Sequence, residues 1–148
     1  MKAWVFGLVM VADAASAATG TLSVRVTNVR NARGRIHVDI CPEAKFLKDD
    51  CPYSGSAAAE AGTVIVRIEG VPEGRYAAQL FHDENGNDRT DRGLFGIPTE
   101  GVGFSNDAPI RLAPPRFADA VFAVPGGPQT ISVRMRYFTG PSGPPERK

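Results

Sequence analysis

The sequence has few of the residues that nucleic-acid-binding and common catalytic sites need. Of its 148 residues, two are histidines, two are cysteines and one, Trp4, is a tryptophan. The formal net charge is only +1, and the arginines alternate with apolar residues instead of clustering with aromatic ones, which argues against nucleic acid as a partner. The sequence also lacks a nucleophile elbow, a phosphate-binding loop and a zinc signature. These absences disfavour the common hydrolase and nucleotide-binding classes.

The N-terminal apolar run is too short to span a bilayer, which takes about 20 residues. Lys2 provides a positive start, Trp4 to Ala12 is apolar, and Ala15-Ser16-Ala17 fits the small-x-small cleavage rule. We therefore expect a signal peptide over residues 1–17, a periplasmic or secreted protein, and no transmembrane segment after cleavage. The remaining chain suffices for one domain, expected over residues 18–138, followed by a flexible, Gly- and Pro-rich tail over residues 139–148.

The two cysteines, Cys41 and Cys51, lie ten positions apart in a loop-like stretch. In an exported protein this spacing favours a disulfide. A metal pair or a redox dithiol is the weaker alternative, because the motif is not C-x-x-C and no histidine lies between the cysteines. Loop entropy limits the stabilisation by so small a ring to about 3 kcal/mol, so the bond would hold one loop and not the whole fold.

Most of the chain alternates apolar and polar residues, which is the period-two pattern of half-buried strands. It predicts strands over Thr21–Val29, Arg35–Cys41, Thr63–Gly70, Arg75–His82, Phe117–Val124 and Gln129–Phe138. The first two are expected to form a hairpin through the turn Asn31–Gly34. Helical turns are allowed at Glu43–Leu47 and Ser56–Ala61. About six or seven such strands predict an all-β fold, a single antiparallel β-sandwich of two sheets.

A long segment with little regular pattern, from Asp83 to Arg116, follows the fourth predicted strand. A compact domain seldom keeps such a loop without a function or a bound stabiliser. Its first part places oxygen ligands around Gly86: the side chains of Asp83, Asn85, Asn87 and Asp91, and the backbone carbonyl of Arg89. Calcium takes about six to eight oxygens, and this spacing lets one turn supply several of them. The sequence therefore predicts calcium as a cofactor that orders the loop.

One position departs from an EF-hand loop, because Leu94 stands where a bidentate glutamate would close the shell, and no helices flank the loop. The missing ligand would come from elsewhere, with Glu100 in the predicted set and Asp107 and Asp119 as further candidates. The alternative interpretation is that the Asn, Gly and Asp residues form turns and cap backbone groups. The sequence leaves both interpretations open.

Several motifs carry a family resemblance. They are Val71–Ala77, His82–Asn87, Asp91, Gly96–Gly101, Gly103–Asn106 and Pro115–Ala120. Together they closely resemble the DUF2141 family of exported bacterial proteins, over nearly the whole mature chain. The resemblance implies an immunoglobulin- or transthyretin-like β-sandwich in the cell envelope, and the fold that we expect is such a sandwich with one long ordered loop. It implies no activity, because the family has no established one.

Other side chains are assigned by their chemistry. Apolar burial predicts that Phe95, Ile97, Phe104 and Phe117 pack onto the sheet, since exposure would forgo about 1.5 to 3 kcal/mol apiece. His37 is expected on the surface. A candidate ligand surface comprises His82, Phe95, Ser105 and Asn106, although Ser105 and Asn106 also fit loop-internal hydrogen bonds.

These features predict an exported binding or structural module of the cell envelope with a calcium-ordered loop and no catalysis. Its partner would be an envelope component or a small ligand. One alternative is a small transthyretin-like hydrolase that uses His82 as a base near Asp83 or Glu100. The segment Tyr137-Phe138-Thr139-Gly140 departs from the Tyr-Arg-Gly-Ser stretch of such hydrolases. The other alternative is a carbohydrate-binding carrier, with Tyr53 or Phe95 as a stacking platform.

Overall fold

Alternating apolar residues build two β-sheets in the computed structural model, which describes residues 18–147; the predicted signal peptide lies outside that range. The strands are β1 Thr19–Val29, β2 Arg35–Cys41, β3 Tyr53–Ala58, β4 Gly62–Pro72, β5 Gly74–Asp83, β6 Val102–Phe104, β7 Phe122–Val124 and β8 Gln129–Arg134. The helical elements are α1 Phe117–Ala120 and three 3-10 turns, Glu43–Lys45, Leu94–Gly96 and Ser105–Asp107. The all-β prediction is confirmed, with eight strands in the described range instead of six or seven.

The two sheets differ in size and in connectivity. The smaller has the order β4-β1-β8, and the larger has the order β3-β2-β5-β6 with β7 also paired to β5. The pairings between strands are antiparallel except that of β1 with β8, which is parallel and sets Val24 opposite Ile131. The predicted β1–β2 hairpin is wrong, because the turn between these strands carries the chain from one sheet to the other. Alternation determines which face of a strand is buried, but not which strand pairs with it.

The core lies between the sheets and follows the predicted inward faces. Its members include Leu22, Val24, Val26, Ile36, Val38, Ile40, Val64, Val66, Ile68, Leu80 and Met135, all of them buried. A second, smaller cluster joins Cys41, Ala77 and Ala120 with the half-buried Phe104 and Phe117. Cys41 and Ala77 are opposite each other and alternate with Ile40 and Ala78 of the main core, so this cluster lies on the outer face of the larger sheet. One end of that outer face is thus covered.

Two local predictions fail for identifiable reasons. Ser56–Ala61 does not form a helical turn, because Tyr53–Ala58 is strand β3, paired to β2. Its residues are small because β4 packs closely against it: a Cβ at Gly55 would lie 2.8 Å from the carbonyl oxygen of Arg67. The predicted strand Phe117–Val124 divides into helix α1 and strand β7. The helical turn within Glu43–Leu47 is confirmed as a 3-10 turn.

A disulfide and a group of hydrogen bonds hold two of the segments that lie outside the sheets. Cys41 and Cys51 form a disulfide. At the other end of the chain, Arg30 donates hydrogen bonds to the carbonyls of Thr139 and Pro141, and Asn28 donates one to that of Ser142. The first residues of the predicted tail therefore lie against the end of β1. Between residues 18 and 147, no helix has the length and apolar character needed to cross a membrane.

Candidate functional site

The uncovered end of the larger sheet's outer face forms an open concavity of about 730 Å³. Opposite pairs across β2 and β5 make its floor, with His37 beside Phe81 and Asp39 beside Gln79. The loop that follows β5 makes one wall. The lining is mostly polar, and it includes Ser54, Ser56, Asp49, Asp88, Arg89 and Arg92. A concave surface with convergent polar groups is the usual form of a ligand site.

Asp83, the last residue of β5, organises the start of the loop. Its side chain is almost fully buried, and its carboxylate accepts backbone N–H groups from Asn87 at 3.1 Å and Asp88 at 2.9 Å. Gly86 turns the chain between them with a φ of 71°, a conformation that glycine adopts without steric cost. The carboxylate thus closes the turn that the sequence places around Gly86.

Asp91 gathers the two predicted amide ligands of the loop. Its carboxylate accepts hydrogen bonds from the side-chain amides of Asn85 and Asn87, the latter at 2.8 and 3.0 Å. The hydrogen bonds from Asn87 and then Asn85 hold the pKa of Asp91 below its usual range. The amide oxygens accept backbone N–H groups, that of Asn87 from Arg89 at 3.2 Å. The loop side chains therefore form one connected set.

Glu100 binds the backbone of the loop at two points. It is buried, and its carboxylate accepts the N–H of Glu84 at 2.9 Å and that of Asp91 at 3.4 Å. Burial raises the pKa of Glu100, and the nearby negative charge of Asp91 raises it further. The backbone N–H donors lower this pKa, but their effect is the smaller one. The further candidates lie apart, because Asp107 binds the N–H of Arg134 and Asp119 pairs with Arg116.

Five of the six predicted calcium ligands are thus joined by direct hydrogen bonds, namely Asp83, Asn85, Asn87, Asp91 and Glu100. Arg89 joins the same loop through its N–H and through a guanidinium 3.6 Å from the carboxylate of Asp91.

His37 lies on the outer face as expected, but it is half-buried and faces the loop. Its Nε2 lies 3.6 Å from Oδ2 of Asp83 and 3.6 Å from Oδ1 of Asp88. Its ring stacks on Phe81 with centroids 4.8 Å apart. Within residues 18–147, His37, Asp83 and Asp88 are the group of His, Cys, Asp and Glu side chains that lie close enough to share an ion. Sequence reasoning missed His37 because its approach to Asp83 depends on the pairing of β2 with β5.

His82 faces the opposite way and is fully buried. Its Nε2 lies 2.7 Å from the carbonyl oxygen of Arg33, and its Nδ1 lies 2.9 Å from the hydroxyl of Tyr137. Because a carbonyl only accepts, Nε2 carries the proton and Nδ1 accepts from Tyr137. Burial raises the pKa of Tyr137 to about 12, so its hydroxyl stays protonated to donate. Both ring nitrogens of His82 are therefore occupied.

A buried ion pair extends this network. Arg30 pairs with Glu84, and its guanidinium lies 4.4 Å from the centroid of the Tyr137 ring. Burial acts to raise the pKa of Glu84, but hydrogen bonds from Arg30 and Asn31 outweigh it, and the pKa is lowered. The network thus joins β1, β5 and the segment after β8.

The predicted ligand surface does not form one surface. His82 and Ser105 are buried, and Ser105 exchanges hydrogen bonds with the backbone of Ala78 and Ala120. Asn106 is exposed and donates to the carbonyl of Val121 at 2.8 Å. Phe95 is 91% exposed, because the turn Leu94–Gly96 carries it to the tip of the loop.

The predicted packing of the loop's apolar side chains therefore holds only in part. Phe104 and Phe117 pack onto the second cluster as expected, whereas Phe95 and Ile97 do not reach the sheet.

Comparison with family models gives one match that spans most of the chain. The model described as "Uncharacterized protein conserved in bacteria (DUF2141)" matches residues 24–132. That range runs from β1 into β8 and includes the whole loop after β5. The comparisons with curated proteins and with solved structures find no match.

Proposed function

Because the chain belongs to the DUF2141 family, whose description names no activity, we propose its function from the site: it is an exported binding or structural module of the cell envelope whose loop, residues 83–100, is ordered by calcium. The observation that carries this proposal is the hydrogen-bonded set of five predicted ligand residues: the Asn85 and Asn87 amides donate to the Asp91 carboxylate, and the Asp83 and Glu100 carboxylates accept backbone N–H groups of Asn87 and Asp91. The disulfide supports the export part, since such bonds persist mainly in oxidising compartments.

The electrostatics of the loop favour a bound cation. Three carboxylates, those of Asp83, Asp91 and Glu100, are held in one short segment, and the pKa of Glu100 is raised by burial and by the charge of Asp91. Each carboxylate oxygen that accepts one N–H keeps a second lone pair for a metal. A divalent ion would offset the repulsion between Asp91 and Glu100, and rotation of the Asn85 and Asn87 amides would add their oxygens.

The geometry supports binding over hydrolysis at this site. A general base needs a free nitrogen within reach of the proton that it abstracts. His82 has no free nitrogen, because its two ring nitrogens are hydrogen-bonded to the hydroxyl of Tyr137 and the carbonyl of Arg33. It also has no access to solvent, because its side chain is fully buried. The proposed module therefore performs its role without a His82-based reaction.

Thermal melting in chelator and in millimolar calcium tests the calcium-ordered loop. At free calcium about ten times the dissociation constant, linkage adds about 1.4 kcal/mol, which raises the melting temperature by a few degrees. Asp91→Asn should remove the rise. Asp49→Asn, which neutralises an exposed carboxylate of the same concavity, should keep it. Identical melting of the wild-type chain in both buffers would refute the proposal.

Export is tested separately. Cell fractionation should place the protein outside the cytoplasm, and the mass of its N-terminal peptide should show cleavage before Ala18. An uncleaved cytoplasmic protein would contradict this part of the proposal without bearing on calcium.

Carbohydrate binding is a second candidate, favoured by the exposure of Phe95 at the loop tip beside the exposed Leu94. An exposed aromatic ring offers a flat face on which a sugar can stack. Phe95→Ala should abolish binding on an array of envelope glycans while leaving the melting temperature unchanged. Leu112→Ala, which removes another highly exposed apolar side chain, is the matched control. Equal loss in both variants, or no glycan bound by the wild type, would eliminate this candidate.

A further inference from the structure

We propose that His37, Asp83 and Asp88 form a second cation site, on the sheet side of the loop, which binds a divalent transition-metal ion of the zinc class. The three ligand atoms all lie within 4.8 Å of one another, with Nε2 of His37 3.6 Å from each carboxylate oxygen. A tetrahedral zinc ion with ligands at about 2.0 to 2.2 Å separates neighbouring ligand atoms by about 3.4 Å. The two separations from Nε2 are therefore close to those that a shared ion requires, and the exposed Asp88 side chain can move to bring its oxygen into range of the ion.

The unpartnered nitrogen of His37 points to a ligand. Nε2 is buried and makes no hydrogen bond to any residue from 18 to 147, although most buried polar atoms have a partner. An unpaired polar atom in such a position costs free energy unless something binds it. Nε2 lies 3.6 Å from a carboxylate oxygen of each aspartate, so one cation placed among them would bind the nitrogen and both carboxylates.

The position of His37 is set before any ion arrives. Its ring stacks on Phe81 at an interplanar angle of 15°, and the pairing of β2 with β5 sets Phe81 directly opposite it. The carboxylate of Asp83 is oriented by two backbone N–H donors. Asp88 alone is free to adjust, since its side chain is 84% exposed. Two fixed ligands and one mobile ligand allow an ion to enter from the concavity.

The donor set selects the class of metal. Imidazole nitrogen with carboxylate oxygen suits zinc and its neighbours, whereas calcium prefers oxygen alone. This site goes beyond the proposed calcium-ordered loop and shares only Asp83 with the predicted calcium ligands. Three protein ligands leave a fourth position for water or a small ligand on the side of the concavity, which His37 and Asp88 line.

Calorimetric titration of zinc into the untagged, chelator-treated chain tests the proposal. The wild type should bind one ion per chain. Asp88→Asn, a change at an exposed side chain that leaves the fold intact, should weaken binding by at least about tenfold, and His37→Asn should do the same. Asp49→Asn is the matched control and should bind as the wild type does. Cobalt in place of zinc should give the intense visible absorption of a tetrahedral ion, which His37→Asn removes.

The outcomes separate this site from the calcium loop. Asp91→Asn should lose the calcium effect and keep zinc binding, whereas His37→Asn should lose zinc binding and keep the calcium effect. The proposal is overturned if the wild type binds no zinc at millimolar concentration, or if Asp88→Asn and Asp49→Asn bind it equally well. It is also overturned if the His37 ring resonances respond to protons but not to zinc, because the cluster is then only an ion pair.

Discussion

The two histidines lie on neighbouring strands and face opposite sides of the same sheet, since Ile36 is paired with His82 and His37 with Phe81. His82 faces inward, and both of its nitrogens have partners. His37 faces outward, and its buried Nε2 has none. The inner residue belongs to a closed polar network, which fixes structure. His37 belongs to a polar cluster that is incomplete, because its Nε2 has no hydrogen-bond partner within residues 18–147. Such an atom at a concave surface supports the proposed ligand site.

Two consecutive carboxylates repeat the contrast. Glu84 is held by Arg30 and Asn31 in the closed network. Asp83 is held by backbone N–H groups alone and still faces the imidazole of His37 at 3.6 Å. The two regions share one stretch of chain, so a change confined to one side shows whether they are energetically separate.

The largest effect is expected from Arg30→Ala, which opens the closed region. It leaves the buried carboxylate of Glu84 without its cation and frees the carbonyls of Thr139 and Pro141. Breaking a buried pair in this way costs about 3 kcal/mol. Urea denaturation should show that loss, while Arg33→Ala, at an exposed side chain, should change stability by less than about 0.5 kcal/mol. Similar small losses in both variants would mean that the network does not stabilise the fold.

A matched pair of substitutions measures the contrast directly. His82→Phe leaves the O–H of Tyr137 without its acceptor and the carbonyl of Arg33 without its donor, and it should destabilise the protein by about 2 kcal/mol. His37→Phe keeps a ring on Phe81 and removes both ring nitrogens, of which the buried Nε2 makes no hydrogen bond within residues 18–147, so metal-free protein should keep its stability within about 0.5 kcal/mol. Equal losses in urea denaturation would abolish the distinction between the two regions.

The smallest effect is expected on acidification. The pKa of Glu84 is lowered in the folded state from an ordinary value of 4.5. Its contribution is therefore complete above pH 4.5 and is lost as pH falls through the lowered folded value. Glu100, whose pKa is raised, acts in the opposite sense and partly offsets the loss. Stability measured in urea from neutral to acid pH should fall less steeply in Glu84→Gln; identical slopes would contradict this assignment.

The burial of the inward-facing side chains could largely be predicted from the sequence, whereas the pairing of the strands could not. Alternation placed Val24, Val38 and Val66 in the core, because burial depends on a residue's own strand. The pairing of strands depends on partners far along the chain, which explains the mistaken hairpin between β1 and β2. Strand β3 was not predicted, because its residues are small and give no clear alternation of apolar and polar side chains. The nearby backbone of β4 leaves no room for a larger residue at Gly55.

The candidate site follows the same division. The spacing of Asp83, Asn85 and Asn87 within one loop is local, so the amino-acid sequence is sufficient to predict that these side chains lie together. The approach of His37 to Asp83 is set by the register of β2 against β5, which no local pattern contains. The exposure of Phe95 likewise depends on the turn that carries it away from the sheet.

The parallel pairing of β1 with β8 has a kinetic consequence. β1 is the middle strand of its sheet, and it lies beside residues more than a hundred positions later, such as Ile131 opposite Val24. Contacts so distant along the chain slow folding, because a large loop must close before they form. Until the final strand arrives, one edge of β1 remains open to pairing with another molecule. Pairing with β8 therefore protects the first strand of this sheet from association with another molecule.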